Sequence, residues 1–396
     1  MVVECLFKIL YNTFMGKKIL IVGGGPAGCS AGIFLKKAGF EVTLFEKGDA
    51  NRVKVCGEGL TPESQHMLKK LGVLENVKSV CLEVPLITMF DPDGNPILLR
   101  NRCWTVKRSV LDKILRDELL SLGGEVLYST SIKKVYINDT KAVVEDVNSE
   151  KYEGEVLILA TGAETSLAGS LGLGSQKGNS MVLMRGYAEN TIGCNSLEFY
   201  FNKELSHCYA WVFPLPNNLL NIGVDSPKEL HSTDDIVDLM DRFRNILNKK
   251  YKGRLGDIGI YKKWIINSGL EKKKIFSDRA LLCGENIHST YSFSGEGIAP
   301  ALKTGFYAAS AIIEARGDYS RAGLSSYKEK IENGIGPTHK IYNIMYRILG
   351  TTVGFRIVSW FLRRSKRAKK LVEGVIDEEV PLKKGFLSAI WYSRKL

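Results

Sequence analysis

The sequence predicts an α/β fold with three parts: a doubly wound nucleotide-binding domain built from separated segments, an antiparallel-sheet insertion, and a helical C-terminal region. Three observations predict it. A short apolar run enters a glycine-rich turn and a helix near the start of the chain. Further short apolar runs ending in small residues recur at 156–163 and 279–285. The stretches between them alternate in polarity, the pattern of half-buried strands.

The first unit occupies residues 18–47. Lys18 to Val22 suits a buried parallel strand. Gly23-Gly24-Gly25-Pro26-Ala27-Gly28 follows, then a helix to about Ala38, a stop at Gly39, and a second strand from Glu41 to Phe45. Gly23 permits the tight turn, Gly25 lets backbone approach a pyrophosphate, and Gly28 allows close helix–sheet packing. The helix start offers free N–H groups and a positive dipole to phosphate. Glu46, followed by Lys47, lies 18 residues beyond Gly28, placed to accept hydrogen bonds from a ribose diol. NAD and FAD both satisfy this unit.

The downstream segments favour FAD. Arg108 opens a helix in which Leu111, Ile114, Leu115 and Leu119 share a face, and residues 124–128 follow as a strand. Arg108 would project from the helix start toward a flavin or its phosphates, or be a surface arginine. Val156 to Leu159 is a buried strand ending in the small-residue turn Ala160-Thr161-Gly162-Ala163. Residues 279–283 form another, with Gly284-Glu285 at its end, and Ser294-Gly295-Glu296-Gly297-Ile298 then leads into a long helix. Nucleotide-binding segments at the front, middle and back of a chain fit a split FAD domain better than a simple NAD domain.

Asp91-Pro92-Asp93-Gly94-Asn95 signals a hairpin turn between Leu86–Phe90 and Ile97–Arg100, and a helix is expected near 233–249. Tyr209, Trp211 and Phe213 alternate, so they share one strand face. They form either ordinary sheet core or a cavity wall.

Composition bounds the partners. The 396 residues are 44% hydrophobic and 25% charged, a globular balance. Of the net charge of +12, nine units come from residues 340–396, where thirteen Lys/Arg face four Asp/Glu. That argues against a nucleic-acid partner and for a basic C-terminal patch facing something anionic. The eight cysteines contain no CxxC pair, so neither a metal site nor a disulfide framework is indicated, and a reducing, cytoplasmic compartment is expected. The first fourteen residues make a poor signal peptide, and Met15 is an alternative start to Met1. The apolar stretch 341–362 carries Arg347 and Arg356, which suits a surface-bound segment rather than a spanning one.

Three motifs carry a family resemblance: Cys56-Gly57-Glu58-Gly59-Leu60, Tyr209-Ala210-Trp211-Val212-Phe213-Pro214 with Gly223 at the end of the next strand, and Gly295-Glu296-Gly297-Ile298. With the dinucleotide unit they make residues 17–315 similar to the geranylgeranyl reductase family of FAD enzymes, within the group that includes aromatic hydroxylases and flavin halogenases. Gly284-Glu285 stands where that family usually has Gly-Asp. The resemblance implies a split FAD domain over 15–81, 107–175 and 275–320, and a substrate domain over 82–106 and 176–274. The remainder, 321–396, is a basic helical region. It implies FAD contacts from Gly23, Gly25, Ala27, Gly28, Glu46, Lys47, Cys56, Gly57, Arg108, Ala160, Gly162, Gly284, Glu285, Gly295, Gly297 and Ile298. Tyr209, Trp211, Phe213, Pro214 and Gly223 would meet substrate, and Cys56, Tyr209 and Trp211 are the catalytic candidates. Cys56 is either a near-flavin thiol or an inert one. Glu58 and Glu296 either tune the site or cap turns. The implied reaction is hydrogenation of isolated C=C bonds in isoprenoid chains, by hydride from reduced FAD and a proton from protein or water. A prenylated lipid is the implied substrate. No second GxGxxG unit is visible, so an external electron donor is expected, ferredoxin-like or NAD(P)H. Beside the C-terminal basic cluster, Phe355, Val358, Trp360, Phe361 and Leu362 suit peripheral contact with an anionic membrane. The alternatives are a monooxygenase or halogenase of the same fold, or a protein that retains FAD only for structure.

Overall fold

The first unit is β1 (Lys18–Val22), α1 (Pro26–Lys37) and β2 (Glu41–Phe45). A two-residue strand β3 (Gly59–Leu60) and helices α2 (Pro62–Leu71) and α3 (Leu74–Lys78) lead to the hairpin β4 (Leu82–Phe90) and β5 (Pro96–Thr105). Next come α4 (Arg108–Ser121) and β6 (Glu125–Leu127). The meander β7 (Ile132–Ile137), β8 (Ala142–Asp146) and β9 (Lys151–Gly154) precedes β10 (Val156–Leu159) and the short α5 (Ser166–Ser170). A second excursion holds β11 (Asn179–Glu189), β12 (Leu197–Tyr200), β13 (Ala210–Leu215), β14 (Leu219–Pro227), α6 (Asp235–Lys250) and β15 (Lys262–Ser268). The chain returns through β16 (Phe276–Ser277) and β17 (Ala280–Leu282) to α7 (Ile298–Glu314). It ends in α8 (Ser326–Gly334), α9 (Gly336–Leu349), α10 (Thr352–Arg364) and α11 (Lys366–Ile376). This computed structural model describes residues 14, 16–174, 179–205, 209–227, 235–349 and 351–382. The alternative starts Met1 and Met15, together with Cys5, Cys208 and residues 383–396, lie outside them.

The apolar runs read from the sequence assemble into one six-stranded sheet in the order β16-β17-β10-β1-β2-β6. All its pairs are parallel except β16–β17. Ile19, Leu20, Ile21 and residues 156–159 are fully buried, as strands covered on both faces require. Helices α1 and α7 pack closely, and the Ser30 hydroxyl donates to the Leu302 carbonyl at 2.7 Å.

The alternating stretches form an eight-stranded sheet, β15-β11-β14-β13-β12-β4-β5-β3. It is antiparallel except where β4 meets β12, a parallel pair that joins the two excursions into one sheet. One face packs on α6, with Val212, Leu220, Ile222 and Val224 against Ile236, Met240 and Phe243. The opposite face carries Trp211 and Phe213. Alternation along β13 therefore divides core from cavity.

The Asp91 carboxylate closes the hairpin turn by accepting the N–H groups of Asp93 and Asn95 at 3.0 and 2.9 Å. The same turn anchors the C-terminal helices. Asp91 pairs with Arg363, and Asp93 pairs with Arg356 at 2.6 Å. Strand β5 meets β3 only at Trp104 and Thr105, so its outer backbone donors need other partners. The N–H groups of Arg100 and Arg102 donate to Glu373 and Asp377, each at 2.9 Å.

This docking corrects the expected membrane face. Phe355 and Leu362 are buried, and Val358 and Phe361 pack on the substrate-side core, because α10 uses that stripe to cover the hairpin. Of the five expected residues Trp360 stays exposed, joined by Ile344, Ile348, Val353 and Ile357. Among the described residues no helix is long and apolar enough to cross a membrane.

Candidate active site

The two sheets face each other across a cavity of about 990 Å³. At one end lies the glycine-rich turn. No side chain caps α1 and no acid sits in its first turn, so its backbone donors and positive dipole are left for an anionic ligand. A Cβ on Gly28 would overlap the Gly23 carbonyl, so only glycine lets the helix approach the turn this closely. Glu46, at the end of β2, receives Gly24 N–H at 3.0 Å, Gly48 N–H at 2.8 Å and the Arg52 guanidinium at 3.0 Å.

Arg108 is buried at the start of α4, with Nε and Nη2 at 3.0 and 3.1 Å from Asp112. Asp112 also receives Arg52 at 3.0 Å. Arg108 thus lines the cavity with its guanidinium engaged by a carboxylate. Glu285, after β17, pairs through Oε2 with Lys54 at 3.0 Å, while Oε1 is buried with no protein partner. Lys54 lies over the Trp264 ring, 4.4 Å from its centroid.

The Cys56–Glu58 turn is fastened to the eight-stranded sheet by a buried network. Asn221 accepts from Trp211 Nε1 at 2.8 Å and donates to the Cys56 carbonyl at 2.7 Å and Glu58 Oε2 at 3.0 Å. Glu58 Oε1 receives the Tyr187 hydroxyl at 2.8 Å and Arg108 N–H at 2.9 Å. Glu58 itself has a φ of 67°, a strained setting that this network holds in place. Cys56 is half-buried on the cavity wall, its sulfur 3.3 Å from Glu58 N.

Tyr209, Trp211 and Phe213 line the far wall, with the Tyr209 hydroxyl 3.4 Å from the Ser294 carbonyl. Pro214 and Gly223 stand outside the lining. Pro214 follows Phe213 and points to the other face, its carbonyl accepting from Thr105 at 2.6 Å. Gly223 lies in the middle of β14, not at its end, paired with Trp211. A Cβ there would overlap the indole, so this glycine makes room for the ring. Gly28 is also outside the lining, whereas the other residues expected to contact FAD all border the cavity.

Two acids on the wall are pushed far above the usual carboxylate range. Burial pushes Asp225 up to about 8. Burial, reinforced by the Glu63 carboxylate, pushes Glu296 up to about 7. Glu296 accepts the Ser64 hydroxyl at 3.1 Å and Ala299 N–H at 3.2 Å, so it also caps α7. Sequence reading did not single out Asn221 or Asp225. Both follow from the period of two along β14, which puts Asn221, Gly223 and Asp225 on the face shared with Trp211. It also missed Val375, Ile376 and Glu378, which bring the end of α11 to the cavity from the opposite side of the chain.

FAD fits these residues. A glycine cradle, an uncapped helix start, a carboxylate at the end of β2 and the orphaned Glu285 Oε1 supply donors and acceptors for its pyrophosphate, ribose and ribitol. Residues 17–193 match the pyridine nucleotide-disulphide oxidoreductase family. The chain is 24% identical over 332 residues to digeranylgeranylglycerophospholipid reductase 1 of Methanosphaera stadtmanae, covering 79% of each chain. Its fold superposes on a geranylgeranyl bacteriochlorophyll reductase-like protein from Thermoplasma acidophilum with a TM-score of 0.80 and 22% identity, over 94% of this chain and 95% of that one. A flavin-dependent brominase superposes with a TM-score of 0.75 and 20% identity, over 96% of this chain and 100% of its own. Sequence motifs, cofactor cradle and relatives agree on an FAD-binding oxidoreductase that is similar, over most of its length, to proteins named digeranylgeranylglycerophospholipid reductase.

Proposed function

We propose that this protein saturates isolated C=C bonds of geranylgeranyl chains, on ether phospholipids of the archaeal type. One observation carries the reading: the dinucleotide cradle and the apolar wall of Tyr209, Trp211 and Phe213 border the same cavity. Bound FAD, once reduced, supplies the hydride. The protein's part is to hold the chain, exclude water and place a proton. Gly23, Gly25 and Ala27 would seat the pyrophosphate, Glu46 and Lys47 the adenosine side, and Glu285 the ribitol. Ala160, Gly162 and Gly284 would leave room for the cofactor along the strand ends. Gly295, Gly297 and Ile298 would present the start of α7 to the flavin ring. Cys56 and Gly57 would approach that ring from the other side, with Arg108 behind them. Tyr209 and Trp211 would orient the alkene.

An external carrier delivers the electrons, either ferredoxin-like or NAD(P)H. The basic C-terminal helices bring the enzyme to the anionic cytoplasmic surface of the membrane, where a prenylated lipid resides. The test is anaerobic incubation of dithionite-reduced protein with an unsaturated digeranylgeranylglycerol phospholipid, read by mass spectrometry. Mass gains in steps of two hydrogens are expected. An unchanged lipid beside fully reduced flavin removes the reading and points to oxygen-dependent chemistry.

A further inference from the structure

Saturating an alkene needs a proton as well as a hydride, and the cavity wall holds an acid suited to keep one. Asp225 is 2% exposed, lies on the cavity-facing side of β14 and borders the cavity beside Tyr209. Its Oδ1 is 3.4 Å from Tyr209 N, and its carboxyl also hydrogen-bonds the Tyr209 side chain, which ties the acid to the aromatic wall. Other acids bordering the cavity are held by firm donors: Glu296 by Ser64 and Ala299 N–H, Glu58 by Tyr187, Asn221 and Arg108 N–H, and Glu46 by Gly24 and Gly48 N–H.

The geometry points to Asp225 as the group that holds and delivers the proton, with the Tyr209 phenol beside it ordering the reacting carbon. This rests on the prenyl-reductase reading above. The two new C–H bonds take one hydride and one proton. The hydride brings both electrons from the reduced flavin, which ends oxidised. As the Asp225 O–H bond breaks, its proton forms the second C–H bond. The resulting carboxylate regains a proton from water between turnovers.

The surroundings suit that role. Burial, and secondarily the Asp225 carboxyl, push the Tyr209 phenol well above its ordinary range, so at neutral pH it keeps its proton. On β11, Arg185 is stacked over Tyr187, its guanidinium 3.9 Å from the ring centroid. Cys56 also acts electrostatically on the Tyr209 phenol, and Lys263 and Lys54 with Glu285 border the same cavity.

The test pairs spectroscopy with kinetics on the FAD-loaded protein. Infrared difference spectra of wild type against D225N should show a protonated-carboxyl stretch at neutral pH that fades as pH rises through about 8. Single-turnover oxidation of the reduced enzyme by the prenyl lipid should slow about a hundredfold or more in D225N. Flavin content and dithionite reduction should stay as in wild type. The wild-type rate should fall above about pH 8, D225N should lose that limb, and D225E should recover part of the rate. A D225N rate within a few-fold of wild type, a missing carboxyl band, or an alkaline limb that vanishes in E296Q instead overturns the assignment alone. A wild type that oxidises with no prenyl lipid overturns the functional reading and this assignment with it.

Discussion

Asn221 shows how much one buried side chain can organise. Its oxygen takes the Trp211 indole proton, and its nitrogen serves both the Cys56 carbonyl and Glu58. The cavity wall and the loop carrying Cys56 are therefore positioned by the same amide. Replacing it with leucine strands three buried groups, each costly to leave unpaired. N221L is expected to lower unfolding stability by about 2–3 kcal/mol. It should also alter the visible flavin spectrum, because Trp211 and Cys56 both border the cavity that the proposed function assigns to the flavin. Denaturant unfolding and an absorption spectrum check this, and a variant with wild-type stability and spectrum would show that the network positions nothing. The sequence displayed Cys56 and Trp211 through their motif. Asn221 was hidden because an asparagine within an apolar strand carries no signal until its neighbours across the sheet are known.

At the scale of elements, α9 is tied down by a histidine. His339 is buried with Nε2 3.0 Å from the Ser289 carbonyl, and its ring meets Tyr291 edge-on. A carbonyl only accepts, so Nε2 carries the proton of a neutral ring. Burial pushes His339 down to about 4. Above its ordinary value near 6.5 both folded and unfolded chains hold it neutral, and it adds no pH dependence. Between about 6.5 and 4 only the unfolded chain takes up the proton, so stability falls as pH falls across that window. The loss is roughly 3 kcal/mol at most. Urea midpoints measured from pH 7 to 4 should fall less in H339Q than in wild type. Equal slopes for the two proteins would rule this histidine out as the source. The helices were legible from their apolar period, but not the surface each would cover. The aromatic stripe of α10 looked like a membrane face and instead covers the β4–β5 hairpin.

The whole molecule gathers residues from the front, middle and back of the chain around one cavity, and the C-terminal helices close one side of it. Because Arg356 and Arg363 are engaged by Asp93 and Asp91, the charge left for an outside partner is concentrated elsewhere on α10 and α11. Arg364 stacks over the exposed Trp360, 4.4 Å from its ring centroid, beside exposed Ile357 and Val353. Apolar side chains rimmed by cations suit an anionic bilayer surface. The double variant I357E/W360E is expected to bind anionic vesicles at least about tenfold more weakly, with flavin content unchanged. Vesicle co-sedimentation at low and high salt checks it, and undiminished binding would move the membrane contact away from α10. By itself the sequence determined the nucleotide fold and the flavin, because strand periods, glycine turns and acids at strand ends are local features that a linear reading captures. The tertiary structure decided which side chains share the cavity, that Gly223 makes room for Trp211, that Asp225 is held neutral, and that α11 reaches the site. Those depend on burial and on contacts between segments remote in the chain, and neither is encoded in spacing along it.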